Sequence, residues 1–305
     1  MFIVFLMFTF SLINCQENPS KIIALIPMRN EEIMIGQCLK GLAPLVDEII
    51  ILNDCSTDNS IPIIESLAQE CHVTEIIHKK EWYRDEPGDR NSLLNAGRAH
   101  GGKYFIVIDA DEMFTSNCLD NNFLKSRILA LQPGDILTLN WIQLWRSVDY
   151  YRFDDSVWTY NYKPIIFCDD GQAYYSSAFI HTPRIPGNLK GKNYTLYGYT
   201  HGLMHFQFVN FDNVTIKHCW YRCMERIRTQ KSGPEINEIY SLPFRPQNIH
   251  LEPSPAAWFI NYPFFDRTIF TKEEGWRKAQ VKEWLELYGK EFFKDLDIWF
   301  IDWFN

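Results

Sequence analysis

The chain has 305 residues, 46% of them apolar and 15% aromatic, enough to fill one large core or two small ones. Its formal charge is -8 and it has no Lys/Arg-rich block, which argues against a nucleic-acid partner. An anion held locally by a metal or by helix N-termini remains compatible with that balance.

In chain order, Met1 to Asn14 is almost wholly apolar and gives way to the polar stretch from Gln16 to Lys21. The run is short for a membrane span of about 20 residues and suits a signal-peptide core, so residues 1–20 are expected to be a signal peptide or a short hydrophobic anchor. The protein is then expected in the secretory pathway or at a membrane if the signal is real, and in the cytoplasm otherwise.

From residue 21 to 120 strands and helices alternate. Ile22 to Ile26, Glu48 to Leu52, Thr74 to His78 and Tyr104 to Asp109 read as strands. Glu31 to Leu42, Ile63 to Cys71 and Arg90 to Ala99 read as helices, with Pro62 in a first turn that tolerates it. This pattern predicts parallel strands with right-handed helical crossovers and a ligand at the carboxyl edge of the sheet. Ile106-Val-Ile-Asp109-Ala-Asp111-Glu112 is an apolar run that breaks into three carboxylates. In an extended chain Asp109 and Asp111 share a face while Ala110 points away. An isolated Asp-x-Asp also reads as a solvated acidic turn.

Three segments taken together resemble glycosyltransferase family 2 with the GT-A fold. They are Ile22-Ile-Ala-Leu-Ile-Pro-Met-Arg-Asn-Glu-Glu32, Asp47-Glu-Ile-Ile-Ile-Leu-Asn-Asp-Cys-Ser-Thr-Asp58, and Asp109-Ala-Asp-Glu112. The resemblance covers about residues 21 to 120. It implies an α/β fold, a Rossmann-type, mostly parallel sheet flanked by helices, with residues 21–120 as the nucleotide-sugar-binding half. It also implies roles. Asp54 would accept a hydrogen bond from the base, with helix capping as the alternative that Asp58 or Ser60 fits better. Pro27, Arg29, Asn30 and Glu31 would border the nucleoside, although Glu31 or Glu32 also suits a first-turn acid. Arg90 would pair with a phosphate and Asn95 would lie beside it, against the alternative of a solvated surface Arg. Asp109, Ala110 and Asp111 would contact the donor, and Asp109 with Asp111 would bring Mn or Mg to its diphosphate.

Beyond residue 130 the helices lose their regularity. Asp135 to Trp145, Lys163 to Cys168 and Tyr174 to His181 read as strands around an aromatic loop, Tyr150 to Tyr162. Residues 121–230 are expected to carry the acceptor side of the same domain, where Trp145, Trp158 and Tyr160 are either sugar platforms or core. The segment Phe179-Ile-His181-Thr182 resembles one that in many relatives ends in His-Glu; Thr182 replaces the Glu, so no catalytic base carries over. Asp155, Asp169 and Asp170 are the local carboxylates, and Asp155 and Asp170 are taken as the candidates. Thr200 to Phe206 alternates like a strand with His201 and His205 on one side; the resemblance makes His205 the residue that completes a metal site, with a structural His as the alternative.

Phe211 to Thr229 reads as a helix whose Ile216, Cys219, Trp220, Cys223 and Ile227 form a core stripe, while Lys217 and Arg222 read as a solvated face with phosphate as the alternative. Eight cysteines without a Cys-x-x-Cys pair indicate neither a zinc ribbon nor a dithiol redox site. Residues 231–305 are expected to be a loop and an amphipathic helix from Thr271 onward, packed on the domain or, alternatively, touching a membrane surface.

The expectation is a metal-dependent, inverting transferase that moves a sugar from a nucleoside diphosphate sugar, a UDP-sugar first, to a glycan, lipid or protein hydroxyl. The alternative is a non-catalytic nucleotide-sugar- or carbohydrate-binding protein on the same fold.

Overall fold

The computed structural model describes residues 20–176, 182–245 and 249–304. Its N-terminal half follows the expected alternation: β1 (Lys21–Met28), α1 (Ile35–Leu42), β2 (Glu48–Asn53), α2 (Ser60–Leu67), β3 (Val73–His78), α3 (Glu86–Ala99) and β4 (Gly102–Val107). The chain continues through β5 (Glu112–Phe114), α4 (Phe123–Leu129), β6 (Ile136–Gln143), β7 (Tyr150–Arg152), β8 (Tyr162–Cys168), β9 (Asn193–Leu196) and β10 (Gly202–His205). It ends with α5 (Phe211–Arg228), α6 (Gly233–Ile239), β11 (Leu251–Pro253) and α7 (Gly275–Tyr288).

Nine strands form one sheet in the order β3-β2-β1-β4-β8-β6-β10-β5, with β9 beside the first half of β6. β8 runs antiparallel to β4 and β6, and β5 antiparallel to β10, while the other neighbouring pairs are parallel. The carboxyl ends of β1, β2, β3, β4, β6 and β10 therefore share one edge. This is the expected α/β, GT-A-like architecture.

Period-2 burial explains the layers. Ile22, Ala24, Ile26 and Met28 of β1 pack toward α1 and α2, whereas Ile23 and Leu25 pack toward α3. Each of these buried Ile, Leu and Met side chains contributes roughly 1.5–3 kcal/mol by leaving water, and the Ala24 methyl less. Gly97 lets α3 approach β4 closely, since a Cβ there would stand 2.4 Å from the Phe105 ring.

Several boundaries differ from expectation. α1 starts at Ile35 because the amides of Glu31 and Glu32 donate across to Ser60 Oγ (2.8 Å) and Asp58 Oδ2 (3.0 Å). α3 starts four residues early, at Glu86: Asp85 caps it by accepting from the Gly88 amide, and Pro87 sits where a missing N–H costs nothing. The short strand β5 was not foreseen. Residues 174–176 form no strand, and the rest of that expected strand, 177–181, lies outside the described residues, as does 1–19 of the N-terminal segment.

The core stripe on α5 holds. Cys219, Trp220 and Cys223 pack against Val281 and Leu285 of α7, and Trp220 stacks on Trp284 with ring centroids 5.8 Å apart. The expected tail helix thus packs on the domain and ends at Gly289, whose φ of 80° suits glycine. No helix among the described residues is long and apolar enough to cross a membrane.

Candidate functional site

The acidic motif leaves the end of β4 and splits into two functions. Glu112 is fully buried; its carboxylate accepts from the Asp109 amide (2.9 Å), Trp141 Nε1 (2.5 Å) and both terminal nitrogens of Arg184 (2.6 Å each). Arg184 also donates to Asp109 Oδ2 at 2.9 Å. Burial works against the Arg184 charge, but Asp109 and Glu112 outweigh it and hold the guanidinium protonated. Glu112 is therefore the structural acid of the three, and Arg184 its counter-ion.

Asp111 faces the other way, with Oδ2 3.4 Å from His205 Nε2. Burial would raise its pKa, yet His205, Lys217 and Arg184 hold it below the usual carboxylate range. His205 Nδ1 lies 2.7 Å from Gln143 Oε1, and its ring stacks on Trp141 at 4.5 Å, so two residues of β6 set its orientation. With Nδ1 held by the amide oxygen of Gln143, Nε2 is the ring atom turned toward Asp111, so the pair presents one nitrogen and one oxygen donor to a cation. His201, expected on the same side, instead stacks on Phe123 at 3.8 Å.

Pro27, Arg29, Glu31, Asp109, Ala110, Asp111 and His205 line one cleft. Burial, and then the charge of Asp111, push the Glu31 carboxyl up to about 8, against Lys217 and Arg277. Lys217 and Tyr221 of α5 complete the wall, so Lys217 does not lie on a solvated face as its sequence favoured; its Nζ donates to Gln207 at 2.7 Å. Arg222 is buried, donating to the Tyr240 carbonyl at 3.1 Å. Asn30 holds the loop after β1 to the loop after β2: its backbone is left-handed (φ 53°), its Oδ1 accepts from the Thr57 amide (2.6 Å), and its own amide donates to Ser56 Oγ (2.9 Å). It supports the cleft structurally.

A second cleft adjoins the first and is lined by Asp54, Trp82, Asp89, Tyr221 and Trp276. Asp54 ion-pairs with Lys79 (2.9 Å), which also reaches Asp89 (3.0 Å). Arg29 belongs to both clefts, its guanidinium 4.2 Å from the Trp82 ring centroid. Because α3 begins at Glu86, its first turn rather than Arg90 reaches this cleft. Arg90 is half-buried with Nη1 unpartnered among the described residues, beside Asn91, whose side chain holds the Tyr175 backbone. Asn95 is exposed, since Leu93, Leu94 and Gly97 take the buried side of the helix. Neither lines the two clefts.

The acceptor-side acids are displaced. β8 runs against β4, so Cys168 pairs with Tyr104 near the start of β4, and Asp169 and Asp170 emerge at the edge opposite the acidic motif. There Asp169 is bound by Arg98 (2.7 and 2.8 Å) and Asp170 is exposed, which excludes Asp170 as a base at this cleft. Asp155 is exposed in a separate cleft with Phe153, Tyr160 and His250. Trp145 and Trp158 pack on Phe208 in the core, whereas Tyr160 is exposed.

Among the described residues no three His, Cys, Asp or Glu side chains form a ready metal cage. Asp111 and His205 form a two-donor set, which suits a divalent ion that takes its other ligands from phosphate oxygens and water.

Residues 23–121 match the family model described as glycosyl transferase family 2. A 127-residue stretch is 28% identical to a poly(ribitol-phosphate) beta-glucosyltransferase of Bacillus spizizenii, covering 39% of this chain and 20% of that protein. Another of 104 residues is 33% identical to the probable glycosyltransferase YdaM of Bacillus subtilis, covering 32% and 24%. The chain thus matches a fifth to a quarter of the length of these curated relatives. Residues 1–349 of S. aureus TarS align at 15% identity with a TM-score of 0.44, covering 91% of this chain and 81% of that one. The same fragment in complex with UDP-GlcNAc aligns at 13% identity with a TM-score of 0.42, covering 90% and 84%.

Proposed function

From the membership of residues 23–121 in glycosyltransferase family 2, on a GT-A-like sheet, we propose that the protein transfers a sugar from a UDP-sugar to the hydroxyl of a glycan, lipid or protein. The observation that carries this reading is the convergence of Asp54, Arg29, Asp111 and His205, from four strand ends, on two adjoining clefts. Asp54 takes the nucleoside base, Arg29 spans the junction, and Asp111 with His205 holds a Mn or Mg ion at the diphosphate. When bound, that ion stabilises negative charge on the departing nucleoside diphosphate. Trp141 and Tyr221 line the reacting end of the first cleft. The transfer is taken as inverting: the acceptor hydroxyl attacks the sugar carbon as its bond to the diphosphate breaks, and the hydroxyl proton leaves to a base or water. If residues 1–20 act as a signal peptide or anchor, this chemistry belongs to the secretory pathway or a membrane, and otherwise to the cytoplasm.

The test is release of UDP from a panel of UDP-sugars with and without Mn. Turnover in the wild type that disappears in Asp111→Ala supports the proposal. Tight UDP-sugar binding with no turnover over every sugar and acceptor would replace it with the second reading, a non-catalytic binding protein, which the hold of Arg184 on Asp109 favours.

A further inference from the structure

We infer that α7 is a wall of the donor site and that its Arg277 receives the diphosphate of the bound donor. This rests on the proposed donor reading and adds to it a residue far outside the family-matched segment.

Arg277 lies between the two ends of the donor path. It lines the cleft that holds Asp54, while the acids acting most strongly on its charge include Glu31 and Asp111 of the adjoining cleft. A diphosphate joining a base at Asp54 to a sugar at Asp111 must pass through that junction. Arg29 occupies the same junction, sandwiched between Trp82 (4.2 Å) and Trp276 of α7 (5.5 Å). Arg277 covers the Trp276 ring at 4.4 Å and Arg228 the Trp82 ring at 4.6 Å, so three guanidiniums alternate with two indoles.

These cations are under-satisfied. Arg277 is 6% exposed and ion-pairs with Glu274, yet its Nε has no hydrogen-bond acceptor among the described residues, and neither do Nε and Nη1 of Arg29. Buried, partnerless N–H groups cost free energy, and Arg29 and Arg277 repel each other as well. A diphosphate supplies acceptor oxygens and negative charge together, and the planar guanidinium fork matches it in two hydrogen bonds. A stack formed only for packing would gain nothing from leaving those nitrogens open.

The experiment is calorimetric titration, with Mn present, of UDP and of uridine into the wild type, Arg277→Gln and Arg277→Lys. Arg277→Gln is expected to weaken UDP roughly 10- to 100-fold, as loss of a charged hydrogen bond does, and to leave uridine affinity unchanged. Arg277→Lys, which keeps the charge and loses the fork, should fall between. Equal UDP affinity in the wild type and Arg277→Gln would overturn the inference alone, as would equal losses for UDP and uridine. A wild type that binds neither would overturn the donor reading too. Should Arg277→Gln fail to fold, hydrogen exchange on the wild type decides: UDP must slow exchange within α7 more than uridine does, and identical exchange sinks the inference.

Discussion

Between residues 21 and 121 the groups given the donor roles stand one to four positions past a strand: Arg29 after β1, Asp54 after β2, Asp111 after β4. Beyond 121 they come from places with no common spacing: Trp141 within β6, Arg184 in a loop, His205 ending β10, Lys217 and Tyr221 along α5, Arg277 in the first turn of α7. The acids are thus delivered by strand ends, and most of the cations that balance them by later segments. On the proposed reading, donor chemistry is carried by the first region and electrostatically completed by the second, so substitutions in either should be felt in the other.

The largest expected effect is on catalysis. Asp111→Ala should lower kcat/KM by about a thousandfold or more, the several kcal/mol of charge stabilisation that a misplaced metal forfeits. Initial rates over a Mn series check it; a loss below tenfold would separate the acidic motif from the chemistry.

Next comes Arg184→Ala, which strands the buried Glu112 carboxylate. Breaking such a pair costs roughly 3–5 kcal/mol, read as a lower midpoint in urea. Adding Glu112→Gln should recover part of that loss, and additive losses would show that the two side chains do not act as a pair.

A pH effect of about 3 kcal/mol follows from His218, away from both clefts. Burial lowers its pKa to about 4, against the hydrogen bond of Nδ1 with the Tyr240 carbonyl (3.0 Å). Its folded pKa lies below the unfolded 6.5, so between those values the unfolded chain binds more protons. Stability is therefore full above pH 6.5 and falls as the pH drops toward 4. Urea midpoints should show this slope, and His218→Gln should flatten it.

The smallest effect is expected at Asp170, which the antiparallel course of β8 carries to the far edge. Asp170→Asn should leave kcat/KM within about twofold and stability within about 0.5 kcal/mol. A large loss of turnover would mean that this edge shares in the chemistry after all.

The sheet was legible because its strands are continuous apolar runs and its helices carry spaced apolar positions; alternation then forced the parallel topology. Asp54, Asp109 and Asp111 were legible because each follows such a run. The start of α3 was not, since Asp85-Glu-Pro-Gly88 has turn composition although it is a capped first turn, and this error misplaced Arg90 and Asn95. Asp170 failed for a different reason: the direction of β8 is set by its partners β4 and β6, which no local pattern reports. Lys217 had a readable signal, being four residues before Tyr221 and beside the core stripe of α5. Arg184 had none, because its partner Glu112 is 72 residues away.

The most direct test of a site assembled from both regions is Mn binding in the presence of UDP, measured in the wild type, Asp111→Asn, His205→Ala and the double variant. Two donors to one ion predict that each single change weakens Mn at least about tenfold and that the double variant loses much less than the product. Mn affinity unaltered by His205→Ala, or strictly multiplicative losses, would contradict the account.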